Sequence, residues 1–217
     1  MLLAALAGGC GDAADAKQRF APGLVATDDH RQSAIAAGKL GARVVRVEFD
    51  IGTPAASLRP TVAALTRRGA RPLLLAGFHG RMPTEAEARN VGSWAAEFGP
   101  GGSYWAKRRR HRLPVRLIEF GNETSYTDQY GDTYTDQSYK DRAELYATRF
   151  AQARRAIGRR RVGLLAQADD GGTASSVWVA HMFGAVPNLG KLVAGWTVHP
   201  YGPREKWRPK LRRLIAQ

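Results

Sequence analysis

Apolar and polar positions along the chain follow two alternating periods. Short runs rich in β-branched and aliphatic residues recur about every thirty residues, and between them apolar residues fall three and four apart. Strands joined through helices in this way must lie parallel, because a helical crossover returns the chain to the same end of the sheet. The runs at 23–27, 42–49, 71–77, 114–120, 162–167 and 192–198 predict six strands. The stretches at 30–40, 58–68, 85–98, 138–158 and 175–186 predict the helices between them, and the chain finishes inside a further amphipathic helix ending at Gln217.

The punctuation agrees with this division. Asp28 and Asp29 stand where a helix cap is needed and Gly41 where one must stop. Thr84 and Glu87 form a Thr-x-x-Glu capping box. Gly99-Pro100-Gly101-Gly102 interrupts the chain, and Ser103 to Arg112 predicts a short basic helix before the fourth strand. Ser138 with Asp141 opens the long helix that follows. The repeated Tyr-Thr-Asp-Gln at 126–129 and 134–137 is too short to mark a solenoid. Six units in one register predict an α/β fold, a (β/α)8 TIM barrel left incomplete, since a closed one needs about 250 residues. The alternative is a doubly wound open sheet, but no G-x-G-x-x-G turn follows the first strand.

Two features of composition change the picture. Residues 1–20 read as a tail apart from the barrel domain at 21–217, and Met1 to Gly9 is an apolar, small-residue run leading into Cys10, the single cysteine. That run resembles the end of a bacterial lipoprotein signal, which implies lipidation at Cys10 and an extracellular or cell-envelope location. It departs from the pattern in lacking a basic residue before the apolar run. The formal charge is +14, with clusters at 107–112 and 159–161. Phosphate or an acidic polysaccharide would be attracted to such clusters, but Arg is spread along the whole chain, and a solvated basic surface is the reading taken.

In a parallel barrel the strand C-termini converge on one mouth, where polar residues read as functional. Glu48, Asp50, His79, Asn122, Glu123, Gln167, Asp169, Asp170, His199 and Tyr201 fall there. The segment Ile118-Glu119-Phe120-Gly121-Asn122-Glu123 resembles the fourth strand of clan A glycoside hydrolases, cellulase-like bacterial members among them. The resemblance implies a retaining glycosidase acting on a β-linked poly- or oligosaccharide. Glu123 would be its acid/base, and Asn122, Arg46, His79, His199 and Tyr201 would contact substrate. It implies no cofactor and no metal. The group's nucleophile is a glutamate ending the seventh strand, and this chain stops before that strand, so no nucleophile is assigned and the chain is expected to be an inactive fragment. Glu119 is set aside as a substitute, because its side chain should leave the strand opposite to residue 120 and away from the position of Glu123.

Each residue has a plainer reading beside it. Arg46 fits a satisfied interior ion pair, His79 a hydrogen bond within its own loop, and His199 and Tyr201 a buried histidine and a packing aromatic. Asp169 and Asp170 before two glycines fit a turn. Tyr126, Tyr130, Tyr134 and Tyr139 fit either sugar stacking or loop anchoring. Asp128, Asp132 and Asp136 lack the glycine and terminal glutamate of a calcium loop. Competing functions are a noncatalytic carbohydrate-binding barrel and, ranked last, nucleic-acid binding; membrane attachment is expected only through a lipidated Cys10.

Overall fold

The computed structural model describes residues 3–5, 23–27, 29–106, 108, 110–125, 135–168 and 173–199. Its sheet carries seven strands: β1 Leu3–Ala5, β2 Gly23–Val25, β3 Val44–Asp50, β4 Arg71–Gly77, β5 Leu117–Phe120, β6 Gly163–Gln167 and β7 Gly195–Val198. The spatial order is β1-β7-β6-β5-β4-β3-β2. From β2 to β7 every strand lies parallel beside its predecessor in the chain. A doubly wound sheet reverses its order partway across, and this one does not. The fold is an incomplete (β/α) barrel of six parallel strands, as the sequence predicts.

The crossovers are α1 His30–Leu40, α2 Arg59–Arg67, α3 Glu85–Phe98, the short α4 Ser103–Ala106, α5 Asp136–Ile157 and α6 Thr173–Ala185. Asp29 caps α1 by accepting from the amides of Arg31 and Gln32, and Gly41 ends it in the left-handed conformation. The Thr84–Glu87 capping box is formed. Ser138 does not open α5. Thr135, in extended conformation, is the cap, and Ser138 is the reciprocal partner three residues on. The basic helix expected over 103–112 closes at Ala106. The neighbouring cations would stack like charges three and four apart in a helix, and His111 takes a left-handed φ of 55° that no helix accommodates.

One core lies between the sheet and the helices. Trp94 and Phe98 of α3, Tyr146 and Phe150 of α5 and Trp178 of α6 are fully buried against Ile118 and Phe120 of β5 and Leu74 of β4. The α3 and α5 helices touch where Gly92 faces Ala156; a Cβ at 92 would stand 2.7 Å from the carbonyl oxygen of Ala156, closer than packing permits.

β1 falls inside the segment expected to be a separate tail. It pairs antiparallel with β7, Leu3 opposite Val198 and Ala5 opposite Trp196, on the edge where a barrel would place its next parallel strand. Covering an edge removes a row of unpaired backbone groups. Cleavage before Cys10 would remove β1, so this edge strand and a lipidated Cys10 are alternatives. Cys10 itself lies outside the described residues. No described helix is long and apolar enough to cross a membrane.

Candidate active site at the strand C-termini

Strand alternation sends Ile118 and Phe120 outward to the helices, which leaves Glu119 facing the barrel axis. Phe120 is held by ring contacts with Phe78 at 5.3 Å, Tyr146 at 5.5 Å and Phe150 at 5.8 Å between centroids. That clamp fixes the end of β5. Gly121 then turns the chain at a φ of 80°, and a Cβ there would meet Phe78 at 2.6 Å, so the turn admits only glycine.

Beyond Gly121, Glu123 has a φ of 48°. A left-handed glutamate costs about 1–3 kcal/mol, and such strain persists where surrounding contacts over-determine it. Here Nδ1 of His199, from just beyond β7, stands 3.1 Å from Oε1 of Glu123. The side chains of His199 and Glu123 are 13% and 14% exposed, so solvent reaches the pair without flooding it.

Beneath them is a buried network centred on Glu119. Arg46 of β3 donates through Nε to Oε2 of Glu119 at 2.6 Å and through Nη2 to Oε1 at 3.0 Å. The same Nη2 donates to Oδ1 of Asn122 at 2.7 Å. Gln167 of β6 donates its amide to Glu119 and, at 2.9 Å, to the carbonyl of Gly121. On the other ring face of the cluster, Nε2 of His199 stands 3.7 Å from Oε1 of Glu119. His199 therefore links two carboxylates, one fully buried and one at the mouth.

The electrostatics follow from these contacts. Burial alone would push the Glu119 carboxyl up, but His199 and Arg46 together outweigh it and hold Glu119 below the usual carboxylate range. Burial works against a charged His199 as well; Glu119 and Glu123 overcome it and raise the imidazole above its ordinary value. The lower cluster is thus an ionised, hydrogen-bonded platform on which Asn122 and Glu123 rest.

Tyr146 shapes the mouth. Its hydroxyl donates to the carbonyl of Phe120 at 2.8 Å and accepts from the amide of Gln167 at 2.9 Å. The β5–β6 register extends through Glu119 opposite Leu165. One step further the hydroxyl spans the two backbones, so the strand ends are held apart while their polar groups stay satisfied.

Of the residues singled out from sequence, the structure brings Arg46, Asn122, Glu123 and His199 into this network. His79, just past the C-terminal end of β4, does not join it: it pairs with Glu48 of the neighbouring strand, and its side chain is 57% exposed. Tyr201, Asp169, Asp170 and the tyrosines at 126, 130 and 134 lie outside the described residues, while Tyr139 is buried against Trp178. Glu119 corrects the sequence reading. It does point away from Phe120, and for that reason it enters the same interior as Glu123. It remains unsuited to nucleophilic attack, because Arg46 occupies both of its oxygens. Gln167 and Tyr146 also belong to the site. The parity of β5 marks Glu119 as inward-facing, whereas nothing in the sequence marks Tyr146. Among the described residues no three His, Cys, Asp or Glu side chains are grouped to hold a metal.

No protein-family model and no curated protein matches the chain. Among solved structures it is similar to D-psicose 3-epimerase of Clostridium cellulolyticum H10, at 12% identity over 80% of this chain and 71% of that one, with a TM-score of 0.46. It is also similar to a glycoside hydrolase family 5 enzyme of Prevotella bryantii B14, at 12% identity over 96% and 81% of the two chains and a TM-score of 0.44. A GH18 chitinase of Pseudoalteromonas aurantia matches at 11% identity over 85% and 69%, with a TM-score of 0.43. The barrel assignment rests on the strand order and not on these likenesses. Fold and geometry together define an incomplete (β/α) barrel with a carboxylate–histidine site at its mouth.

Proposed function

We propose that this mouth is the proton-transfer half of a retaining glycoside hydrolase acting on a β-linked poly- or oligosaccharide, with Glu123 as acid/base. The observation that carries the reading is the strained, left-handed Glu123 at the end of β5, held by His199 above an ion-paired base. Glycosidic cleavage needs a proton at the leaving oxygen and a second carboxylate at the anomeric carbon. Glu123 supplies the first. Asn122, its Oδ1 fixed by Arg46, keeps its amide N–H group for a sugar hydroxyl beside the reacting carbon. His199 is a proton-sharing partner for Glu123, its own imidazole raised above its ordinary value by the two carboxylates it faces. Glu119 does not supply the second carboxylate, since it is committed to Arg46. The resemblance of Met1 to Cys10 to a lipoprotein signal supports placing this chemistry in the cell envelope.

The test uses aryl β-glycosides with good and poor leaving groups. Protonation of the departing oxygen matters only where it is a poor leaving group, so Glu123→Gln should lower kcat/KM, which reads the first step alone, by about 10²-fold or more for phenyl glycosides and far less for dinitrophenyl glycosides. Equal effects on both would remove Glu123 from the acid role. Where no hydrolysis is seen, calorimetry with β-linked oligosaccharides decides: binding lost on Asn122→Ala would leave a noncatalytic carbohydrate-binding barrel, and no binding at all would sink the carbohydrate reading.

A further inference from the structure

The opposite end of the barrel is chemically unlike the mouth. Strands rise toward the site and helices descend from it, so residues between a helix end and the next strand start lie on the N-terminal face. Arg43 precedes β3, Arg71 begins β4 and Arg116 precedes β5. Arg67 ends α2, and the chain between α4 and β5 adds Arg108, Arg110, His111 and Arg112. The carboxylate described beside that segment is Glu97, and it is already committed to Arg59 at 2.6 Å and to Ser103. Burial and then the nearby Arg116 lower the Arg71 guanidinium from its ordinary value, a sign that cations are crowded here.

Arg67, Arg108, Arg110 and His111 of this group line a concavity instead of a flat surface. One groove of about 490 Å³ is bounded by Arg67, Tyr104, Arg108, Arg110 and His111. A second of about 540 Å³ continues from it past Arg59, sharing Tyr104 and Arg108. Arg108 lies over the Tyr104 ring with Cζ 4.0 Å from its centroid, which fixes the guanidinium plane at the groove wall. Tyr104 lines both grooves and is 7% exposed, and its buried hydroxyl, just beneath the groove wall, has no hydrogen-bond partner among the described residues. A buried hydroxyl left unbonded is costly, and a ligand oxygen arriving in the groove would satisfy it.

We infer that this groove binds the carboxylate groups of an acidic polysaccharide, with Tyr104 donating its hydroxyl and Arg67, Arg108 and Arg110 supplying charge. Guanidinium forks match planar carboxylates. Nucleic acid fits less well, because Tyr104 and Trp105 are buried edge-to-face at 4.7 Å and offer no ring for a base to stack on. An anionic membrane is flat and would not enter the recess. The carboxylate site stands on this geometry alone, while the choice of a glycan as carrier rests on the function proposed above. Placed at the end away from the mouth, such a site would retain a polymer without obstructing the cavity.

The experiment measures binding of polygalacturonate, neutral dextran, single-stranded DNA and phosphatidylglycerol vesicles to the full chain at low and high salt. Polygalacturonate is expected to bind at low salt and dextran not to. The dissociation constant for polygalacturonate should rise about tenfold or more in the Arg67→Gln, Arg108→Gln, Arg110→Gln triple variant, and severalfold in Tyr104→Phe, which removes one oxygen and leaves the fold intact. Tighter binding of DNA or vesicles, lost in the same variants, would overturn the glycan assignment; unchanged affinity in Tyr104→Phe would overturn the site. Binding of neutral β-linked oligosaccharides, read by calorimetry, should be unchanged in the Arg67→Gln, Arg108→Gln, Arg110→Gln variant, since none of these residues belongs to the mouth network, so failure at the groove and failure at the mouth are read separately.

Discussion

Glu119→Gln is the substitution on which the site's architecture turns. Arg46 and Glu119 are 8% and 0% exposed at their side chains, and the guanidinium meets both carboxylate oxygens. Glutamine keeps the shape but places an amide N–H group where an acceptor is required, so a donor of Arg46 or Gln167 faces another donor and the buried guanidinium loses its counter-charge. Removing one member of a buried pair costs about 3–5 kcal/mol, most of it from the charge left behind. Replacing both charges together, as Arg46→Met with Glu119→Leu, removes that penalty and should cost well under the sum of the single changes, with a coupling of about 2 kcal/mol or more. Urea unfolding followed by tryptophan fluorescence reads these values from shifts in midpoint at constant slope. A loss below about 1 kcal/mol for Glu119→Gln, or costs that simply add in the double variant, would show that the pair does not carry the platform.

Gly121→Ala should destabilise by about 2 kcal/mol or more, since alanine must adopt a φ of 80° with its Cβ against Phe78, and unfolding midpoints check it. The pH dependence of stability has two flanks with known signs. His199, raised above the ordinary 6.5, contributes stability that is complete below that value and is lost as pH climbs through its folded value; Glu119, depressed, contributes stability present above 4.5 and lost as pH falls through its own. The His199 imidazole should titrate above 6.5 by NMR, and Glu123→Gln should move it down; an unmoved midpoint would mean that Glu123 does not act on His199.

How much of this was legible beforehand depended on whether a feature was local. The bounds of α1, β4 and α3 were readable because caps and breakers sit next to the residues they govern: Asp29 and Gly41, Gly69, Thr84 with Glu87. Glu123 and Asn122 were readable because the strand delivers them at its C-terminal end. Glu119 was misjudged for a geometric reason. Opposition to Phe120 was taken as pointing away from the site, whereas Phe120 faces the helices and its opposite is the barrel interior. Tyr146 was not readable at all, because its role arises where a side chain from the middle of α5 meets two strand ends, 26 and 21 residues away along the chain. The extent of the basic helix failed for a different, local reason: like-charge crowding and the left-handed His111 override a composition that would otherwise allow a helix.

The division of partners within the network has a chemical logic. Arg46 cannot give up its proton, so a carboxylate bound to it on both oxygens is fixed as an anion and cannot take part in proton traffic. Glu119 has that partner and is confined to holding Arg46, Gln167 and, through Arg46, Asn122. Glu123 has instead an imidazole at 3.1 Å, a group that can itself gain and lose a proton. A proton shared between Glu123 and His199 can move without opening an ion pair, and the buried charge of Glu119 on the far side of the ring stabilises the imidazolium when it forms. Exchanging the partners would disable both roles: a guanidinium on Glu123 would lock the group that has to cycle, and a titrating histidine alone would leave Glu119 buried without a permanent counter-charge at high pH. The assignment of acid/base character to Glu123 and structural character to Glu119 therefore follows from which cation each one faces.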